Sequence, residues 1–113
     1  MPLTAFVLES MQAWAGFVAR LAATPEGDGT LLDHCLVLAH SDVSFAKSHQ
    51  VTTLPLMLAG AAGGRLRSGL HLRGNGEPVT RVGLTVQQVM GLPVSAWGTG
   101  SLAATQALGA LLT

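Results

Sequence analysis

Residues 36–39, Leu36-Val37-Leu38-Ala39, form a short apolar run between polar residues. A continuous run of this length is typical of a strand that is buried on both faces. Residues 54–59, Leu-Pro-Leu-Met-Leu-Ala, repeat the pattern, and Pro55 stands near the start, where a missing N–H is tolerated. The sequence therefore predicts two buried strands.

Helical patterns lie on either side of these strands. In residues 3–23 apolar side chains recur at helical intervals, with Thr4 as a candidate N-cap, and residues 79–90 show the same spacing before Gly91. Residues 101–112 could form a short terminal helix, which Gly109 weakens. The order helix, strand, strand, helix predicts one small α/β domain over residues 1–113, a partial sandwich with helices flanking the strands.

The composition predicts that part of the surface is covered by another molecule. Of the 113 residues, 49% are apolar and 11% are charged, whereas ordinary soluble chains carry about 25% charged residues. Arg81 is the last charged residue, so residues 82–113 carry no charge. We expect a homo-oligomer, with a dimer as the simplest case, or a part of a larger assembly.

Several classes of protein are excluded by charge and pattern. Six basic and six acidic residues cancel, and a site for nucleic acid or an anionic membrane needs clustered Lys or Arg. Glu9, Ser10 and Gln12 interrupt the first apolar stretch, which predicts neither a signal peptide nor a membrane span. The single Cys35 cannot form an internal disulfide and is expected to be an inert core thiol, which leaves the compartment undetermined.

Candidate metal ligands follow the first predicted strand. His40 and Asp42 come directly after it, and His49 lies further along the loop, where the sites of open parallel sheets are found. Imidazole and carboxylate groups are zinc ligands, and a catalytic zinc typically has three of them. The alternative is that Ser41 and Asp42 cap a turn while the imidazoles bond to backbone, and without further information the spacing favours this alternative.

A second candidate is the Gly-rich segment at residues 60–64, which precedes Arg65 and Arg67. Backbone N–H groups and guanidinium groups could bind a phosphate or sulfate there. The segment lacks the Lys and the hydroxyl of a P-loop, so a tight connection with two solvated arginines is the favoured interpretation. His71 is expected to be half-buried packing. The two tryptophans are expected to be core or interface anchors.

A resemblance covers nearly the whole chain. The matching segments are, in order, residues 24–33 (TPEGDGTLLD), residues 36–38 (LVL), Ser41-Asp42, His49, Leu54-Pro55, residues 58–60 (LAG), residues 63–66 (GGRL), Ser68-Gly69, His71-Leu72, residues 90–94 (MGLPV) and Trp97-Gly98. On these segments the chain resembles the C-terminal part of a bacterial family, domain of unknown function 1552, which is related to the alkaline phosphatase-like superfamily.

The resemblance implies a fragment of a larger α/β sandwich and a divalent metal site. By position His49 matches the superfamily's late metal ligand, and Asp42 lies near its strand-end ligand. The superfamily's Asp-His-Gly motif does not occur here, and His40 precedes the aspartate, so the role of His40 is open. The family's His-rich N-terminal motif and the superfamily's nucleophilic Ser or Thr are also missing.

Three hypotheses follow for function. The first is a metal-dependent hydrolase of small phosphate, sulfate or related esters, with His49, Asp42 and His40 as ligands to zinc or another divalent metal. In it Arg65 or Arg67 would neutralise developing negative charge, and self-association would complete the ligand set. The second is a non-catalytic fragment or subdomain that self-associates through the uncharged tail and the first helix. The third is a module that binds a different partner.

Overall fold

A computed structural model describes residues 3–113. Helix α1 covers Leu3–Ala23, as the periodicity predicts, although Thr4 lies inside the first turn and is not the N-cap. At its end the Thr24 hydroxyl donates a hydrogen bond to the Arg20 carbonyl at 2.6 Å, and Pro25 follows. Proline has no N–H and disfavours helical backbone in the preceding residue, which stops the helix there.

A tight hairpin and a single helical turn come next. Strand β1 (Pro25–Glu26) pairs antiparallel with β2 (Gly29–Thr30), and Gly27 at the tip has a φ of 60°. Helix α2 (Leu31–His34) starts at once, because the Asp33 carboxylate accepts a hydrogen bond from the Thr30 N–H at 2.7 Å. A bond from the N-cap N–H to the side chain three residues later is one of the two hydrogen bonds of a capping box, the motif that stabilises helix N-termini.

Both predicted strands are present, but their direction and their burial differ from the prediction. Strand β3 (Val37–His40) and strand β4 (Leu56–Ala59) form an antiparallel pair in which Val37 lies opposite Ala59 and His40 opposite Leu56. The prediction that both strands are buried on both faces is wrong: in β3 Val37 and Ala39 are half-buried while Leu38 and His40 are exposed, and all four residues of β4 are half-buried. Helix α1 contacts α2 and β2, so it does not provide the expected cover for this pair.

The C-terminal half contains one long helix and an irregular segment. Helix α3 covers Thr80–Val89, as predicted. The terminal helix expected over residues 101–112 is absent, and 3₁₀ turns at Gly100–Leu102 and Gly109–Leu111 stand in its place. The backbone of this segment instead pairs with other parts of the chain, because Trp97 bridges to Ala104 and Leu66 bridges to Leu112.

The core is small and lies where the Gly-rich segment, α3 and the C-terminus meet. Ala62, Leu66 and Val89 are buried together, and partly buried apolar residues surround them: Leu36, Leu58, Leu111 and Leu112. The uncharged C-terminal segment is therefore covered in part by its own chain. Together these elements make a small mixed α/β domain with three helices and two small antiparallel sheets.

The molecule is flat and exposes much of its surface. Its extents are 47 × 42 × 19 Å and its radius of gyration is 15.5 Å, whereas a compact chain of this length has a radius of about 13 Å. No helix within residues 3–113 has the length and apolar character that a membrane crossing requires.

Candidate functional site

His40, Asp42 and His49 are all exposed and all belong to one end of the β3–β4 pair. His40 ends β3, and the other two lie in the loop of residues 41–55 that leads to β4. The antiparallel pairing places both ends of this loop together. The expectation of a parallel sheet edge is therefore wrong, and the rule that places sites beyond the carboxyl ends of parallel strands does not apply here.

The loop is held by backbone bonds and by serine, without these three side chains. The Ser41 hydroxyl donates to the Val43 carbonyl at 2.5 Å, and the Ser44 N–H donates to the Gln50 carbonyl at 2.7 Å. Ser41 therefore closes a turn, as one interpretation of the sequence expects, whereas no side-chain hydrogen bond of Asp42 is found within residues 3–113. His49 caps a 3₁₀ turn at Ala46–Ser48 with left-handed backbone, at a φ of 52°.

The donor types of this loop suit zinc, which binds imidazole nitrogen and carboxylate oxygen. Across residues 3–113 no group of three or more His, Cys, Asp or Glu side chains is placed to hold one metal ion. A metal site at His40, Asp42 and His49 stays a prediction.

Arg65 is exposed, and its side chain bonds to the backbone of the Gly-rich turn. Ala62, Gly63 and Gly64 all have positive φ, and the Arg65 Nε donates to the Ala62 carbonyl at 3.2 Å. The N–H groups of Gly64 and Leu66 both donate to the Ala61 carbonyl, at 2.9 and 3.0 Å. Because these amides already have acceptors, the segment has the bonding of a tight connection, the favoured interpretation of the sequence.

Arg67 contributes through its backbone and keeps an exposed side chain. Its N–H donates to the Leu111 carbonyl at 2.7 Å, which ties the segment after the Gly-rich turn to the C-terminus. These hydrogen bonds do not involve the His40–His49 loop. Arg65 bonds within its own turn, and the Arg67 backbone bonds to the C-terminal segment.

The structure also places His71, Cys35 and the two tryptophans, about which the sequence makes predictions. His71 is exposed, so the prediction that it packs half-buried is wrong, because residues 67–77 form an exposed irregular excursion. Cys35 is a free, half-buried thiol. Trp97 lies 49% exposed and covers Gly83, where an added Cβ would meet the indole at 3.1 Å. Trp14 is half-buried, and its Nε1 has no hydrogen-bond partner in the described residues.

Helix α1 is a largely unpartnered surface, since none of its 21 residues is buried. Trp14, Val18 and Leu21 are half-buried, on the side that meets α2 and β2. Six large apolar side chains of the helix are between 41% and 72% exposed: Leu3, Phe6, Val7, Leu8, Met11 and Phe17. On a side of α1 different from that of Trp14, Val18 and Leu21, a shallow depression is lined by Ala13, Gly16, Phe17 and Arg20.

Comparison of the chain with protein-family models, curated proteins and solved structures gives no match. The relationship to the alkaline phosphatase-like superfamily therefore stays a prediction from the sequence words alone.

Proposed function

We propose that this chain is a self-associating domain and that helix α1 is its contact surface. The observation that carries the proposal is a helix of 21 residues without one buried side chain. Helices this long are normally stabilised by burying an apolar face, because helical propensity alone is marginal. A second copy of the chain supplies the cover that the fold does not.

The total exposed surface supports the same proposal. The chain exposes 7902 Å². A folded monomer of 11.6 kDa is expected to expose about 5,800 Å². The excess of roughly 2,000 Å² for each chain would total about 4,000 Å² over two copies, which is in the range of obligate homodimer interfaces.

The apolar side chains of α1 supply part of a dimer contact. Six large apolar side chains of the helix are exposed, and two of them, Phe6 and Phe17, lie within about 20° of each other around the helix axis. One partner helix can cover both of these rings.

The charges of α1 favour a protein partner over a membrane surface. Helices that lie on anionic membranes are rich in Lys and Arg on their polar face. Helix α1 has one acidic residue, Glu9, and one basic residue, Arg20. A second copy of the chain carries the same acidic and basic residue on its α1, so it can bind α1 without an excess of basic residues on the helix.

The test is the concentration dependence of the elution volume for the protein and two serine variants. Phe17→Ser removes a 52% exposed side chain from α1, and Val51→Ser removes a 66% exposed side chain from the β3–β4 loop as the matched control. We expect Phe17→Ser to weaken association and Val51→Ser to leave it unchanged. Equal behaviour of the two variants would contradict the role of α1. Vesicle binding without self-association would favour a membrane surface instead.

A metal-dependent hydrolase of small phosphate or sulfate esters is the second candidate. What supports it is the grouping of His40, Asp42 and His49 in one exposed stretch at one end of the β3–β4 pair. The test is metal content after purification, with His49→Ala compared with His71→Ala, which removes an exposed imidazole elsewhere. Stoichiometric zinc that is lost only in His49→Ala, together with turnover of an activated ester, would establish this candidate. Metal-free protein without turnover would reject it.

A further inference from the structure

Helix α1 contains the same short pattern twice, with opposite charges. Residues 6–9 read Phe-Val-Leu-Glu, and residues 17–20 read Phe-Val-Ala-Arg. The two patterns are separated by 11 residues, which is slightly more than three turns of a helix, or about 16.5 Å. Glu9 and Arg20 therefore lie on one side of α1, within about 20° of each other around its axis.

This side of the helix is free within the described chain. The side chains of Glu9 and Arg20 are exposed and form no ion pair with any residue of 3–113. Phe6 and Phe17 beside them are 53% and 52% exposed. Trp14, Val18 and Leu21 point to a different side, where α1 meets α2 and β2.

The residues between the two charges permit another helix to approach closely. Ala13 and Gly16 lie on the same side, and an added Cβ at Gly16 would meet no atom within 4 Å. Packed helices lie about 8–10 Å apart, and small residues at the crossing allow the lower value.

We infer that two copies of the chain associate through an antiparallel pair of α1 helices, with Glu9 of each copy beside Arg20 of the other; this inference rests on the self-association proposed above. A two-fold axis beside Ala13 places Phe6 level with the second copy's Arg20 and Glu9 level with the second copy's Phe17. Glu9 and the second copy's Arg20 are then about 4.5 Å apart along the axis.

The charges select this orientation over the parallel one. In a parallel, in-register pair Glu9 would face Glu9 and Arg20 would face Arg20, and like charges in contact are destabilising. In the antiparallel pair Glu9 meets the second copy's Arg20, and this contact is attractive. The two-fold symmetry forms it twice. The arginine is also level with a phenylalanine ring, a contact that is favourable for a guanidinium group.

The test is a charge-reversal cycle measured by sedimentation equilibrium. Glu9→Arg and Arg20→Glu each replace two attractive contacts by two repulsive ones, and we expect each to raise the dimer Kd about tenfold. The double variant restores opposite charges across the pair and is expected to return the Kd to near that of the unchanged protein. Asp28→Arg, a reversal at the exposed β1–β2 turn, is the control. Circular dichroism checks that each variant is folded.

The outcomes separate this inference from the proposal on which it rests. A monomeric unchanged protein would contradict both. A dimer whose Kd is the same in all variants, or whose Kd stays high in the double variant, would overturn the antiparallel pairing and leave self-association standing. The helix dipole cannot imitate the rescue, because an acid in the last turn at position 20 is unfavourable in the single and double variants alike.

A cross-link provides a second measurement. In a Cys35→Ser background, Ala13→Cys places one thiol of each copy beside the two-fold axis, where a disulfide-linked dimer is expected on mild oxidation. Ala22→Cys places an exposed thiol on the far side of the same helix as the control. Equal cross-linking of the two variants would contradict the proposed pairing.

Discussion

The Thr85 hydroxyl accepts a hydrogen bond from the Leu108 N–H at 2.8 Å and donates one to the Arg81 carbonyl at 2.7 Å. Thr85 is fully buried in α3, while Leu108 belongs to the irregular C-terminal segment. This one hydroxyl therefore links the helix to a C-terminal segment whose own regular structure is limited to two 3₁₀ turns. Arg81 adds to the link, since its guanidinium donates to the Gln106 and Ala107 carbonyls at 3.1 and 3.3 Å.

Replacing Thr85 by valine should destabilise the protein by about 1–3 kcal/mol, because the partly buried Leu108 N–H would lose its acceptor. Thr85→Ser keeps the hydroxyl and should cost less. The measurement is the free energy of unfolding in urea at one fixed protein concentration, since association contributes to stability. A Thr85→Val protein as stable as Thr85→Ser would contradict the role of this bond.

The Gly60 position should not tolerate a side chain. Gly60 has a φ of 99°, and a Cβ there would run into the Cys35 carbonyl and lie 3.1 Å from the Leu32 carbonyl oxygen. Gly60→Ala should therefore cost more than about 3 kcal/mol, since backbone must move.

Gly64→Ala is the matched control for that prediction. Gly64 also has a positive φ, of 87°, and an added Cβ meets no atom within 4 Å. It should cost about 1 kcal/mol, the price of left-handed backbone alone. Thermal unfolding of both variants is the measurement, and similar midpoints would show that the close approach at Gly60 is not as described.

The acid stability of the protein should depend on Asp33. The Thr30 N–H, and secondarily the Thr30 hydroxyl, donate hydrogen bonds to the Asp33 carboxylate and hold its pKa below the ordinary value of 3.8. A carboxyl whose pKa is lowered by folding stabilises the protein above the unfolded-state pKa, and this contribution is lost as the pH falls through the folded-state pKa.

Asp33→Asn should therefore flatten the loss of stability that begins near pH 3.8 and continues below it. The measurement is the unfolding midpoint as a function of pH. Asp28→Asn, at the exposed tip of the same hairpin, is the control and should leave the acid limb unchanged. An unchanged acid limb in Asp33→Asn would contradict the bonding at the start of α2.

Trp14 should accept phenylalanine at little cost. Its indole N–H is buried and has no acceptor within residues 3–113, so Trp14→Phe removes a donor that already lacks a bond. We expect a change in unfolding free energy of less than about 1 kcal/mol, compared with the 3–5 kcal/mol typical of a core tryptophan truncated to alanine. A loss above about 2 kcal/mol would indicate that the N–H has a partner in solution.

Elements governed by local rules could be predicted from the sequence. The bounds of α1 and α3 follow from 3.6-residue periodicity with Pro25 and Gly91 as stops, and both strands lie within two residues of their predicted positions. The terminal helix could not be predicted, because the fate of residues 101–112 depends on distant acceptors and donors such as Thr85 and Leu66.

The burial and the site were harder to predict for a physical reason. An apolar run in the sequence does not show whether its own chain or another molecule covers it. The sequence therefore predicts a buried Leu38, although this residue is 42% exposed. The direction of β4 depends on the path of residues 41–55, which the composition does not determine. The 11-residue repeat of α1 was a usable signal, since Glu9 and Arg20 share a side of any regular helix.

Sedimentation equilibrium of the unchanged protein decides whether the chain is a dimer held by α1, as we propose. We expect a mass of twice 11.6 kDa that falls toward a single chain on dilution. A mass of 11.6 kDa that persists at high protein concentration would contradict it.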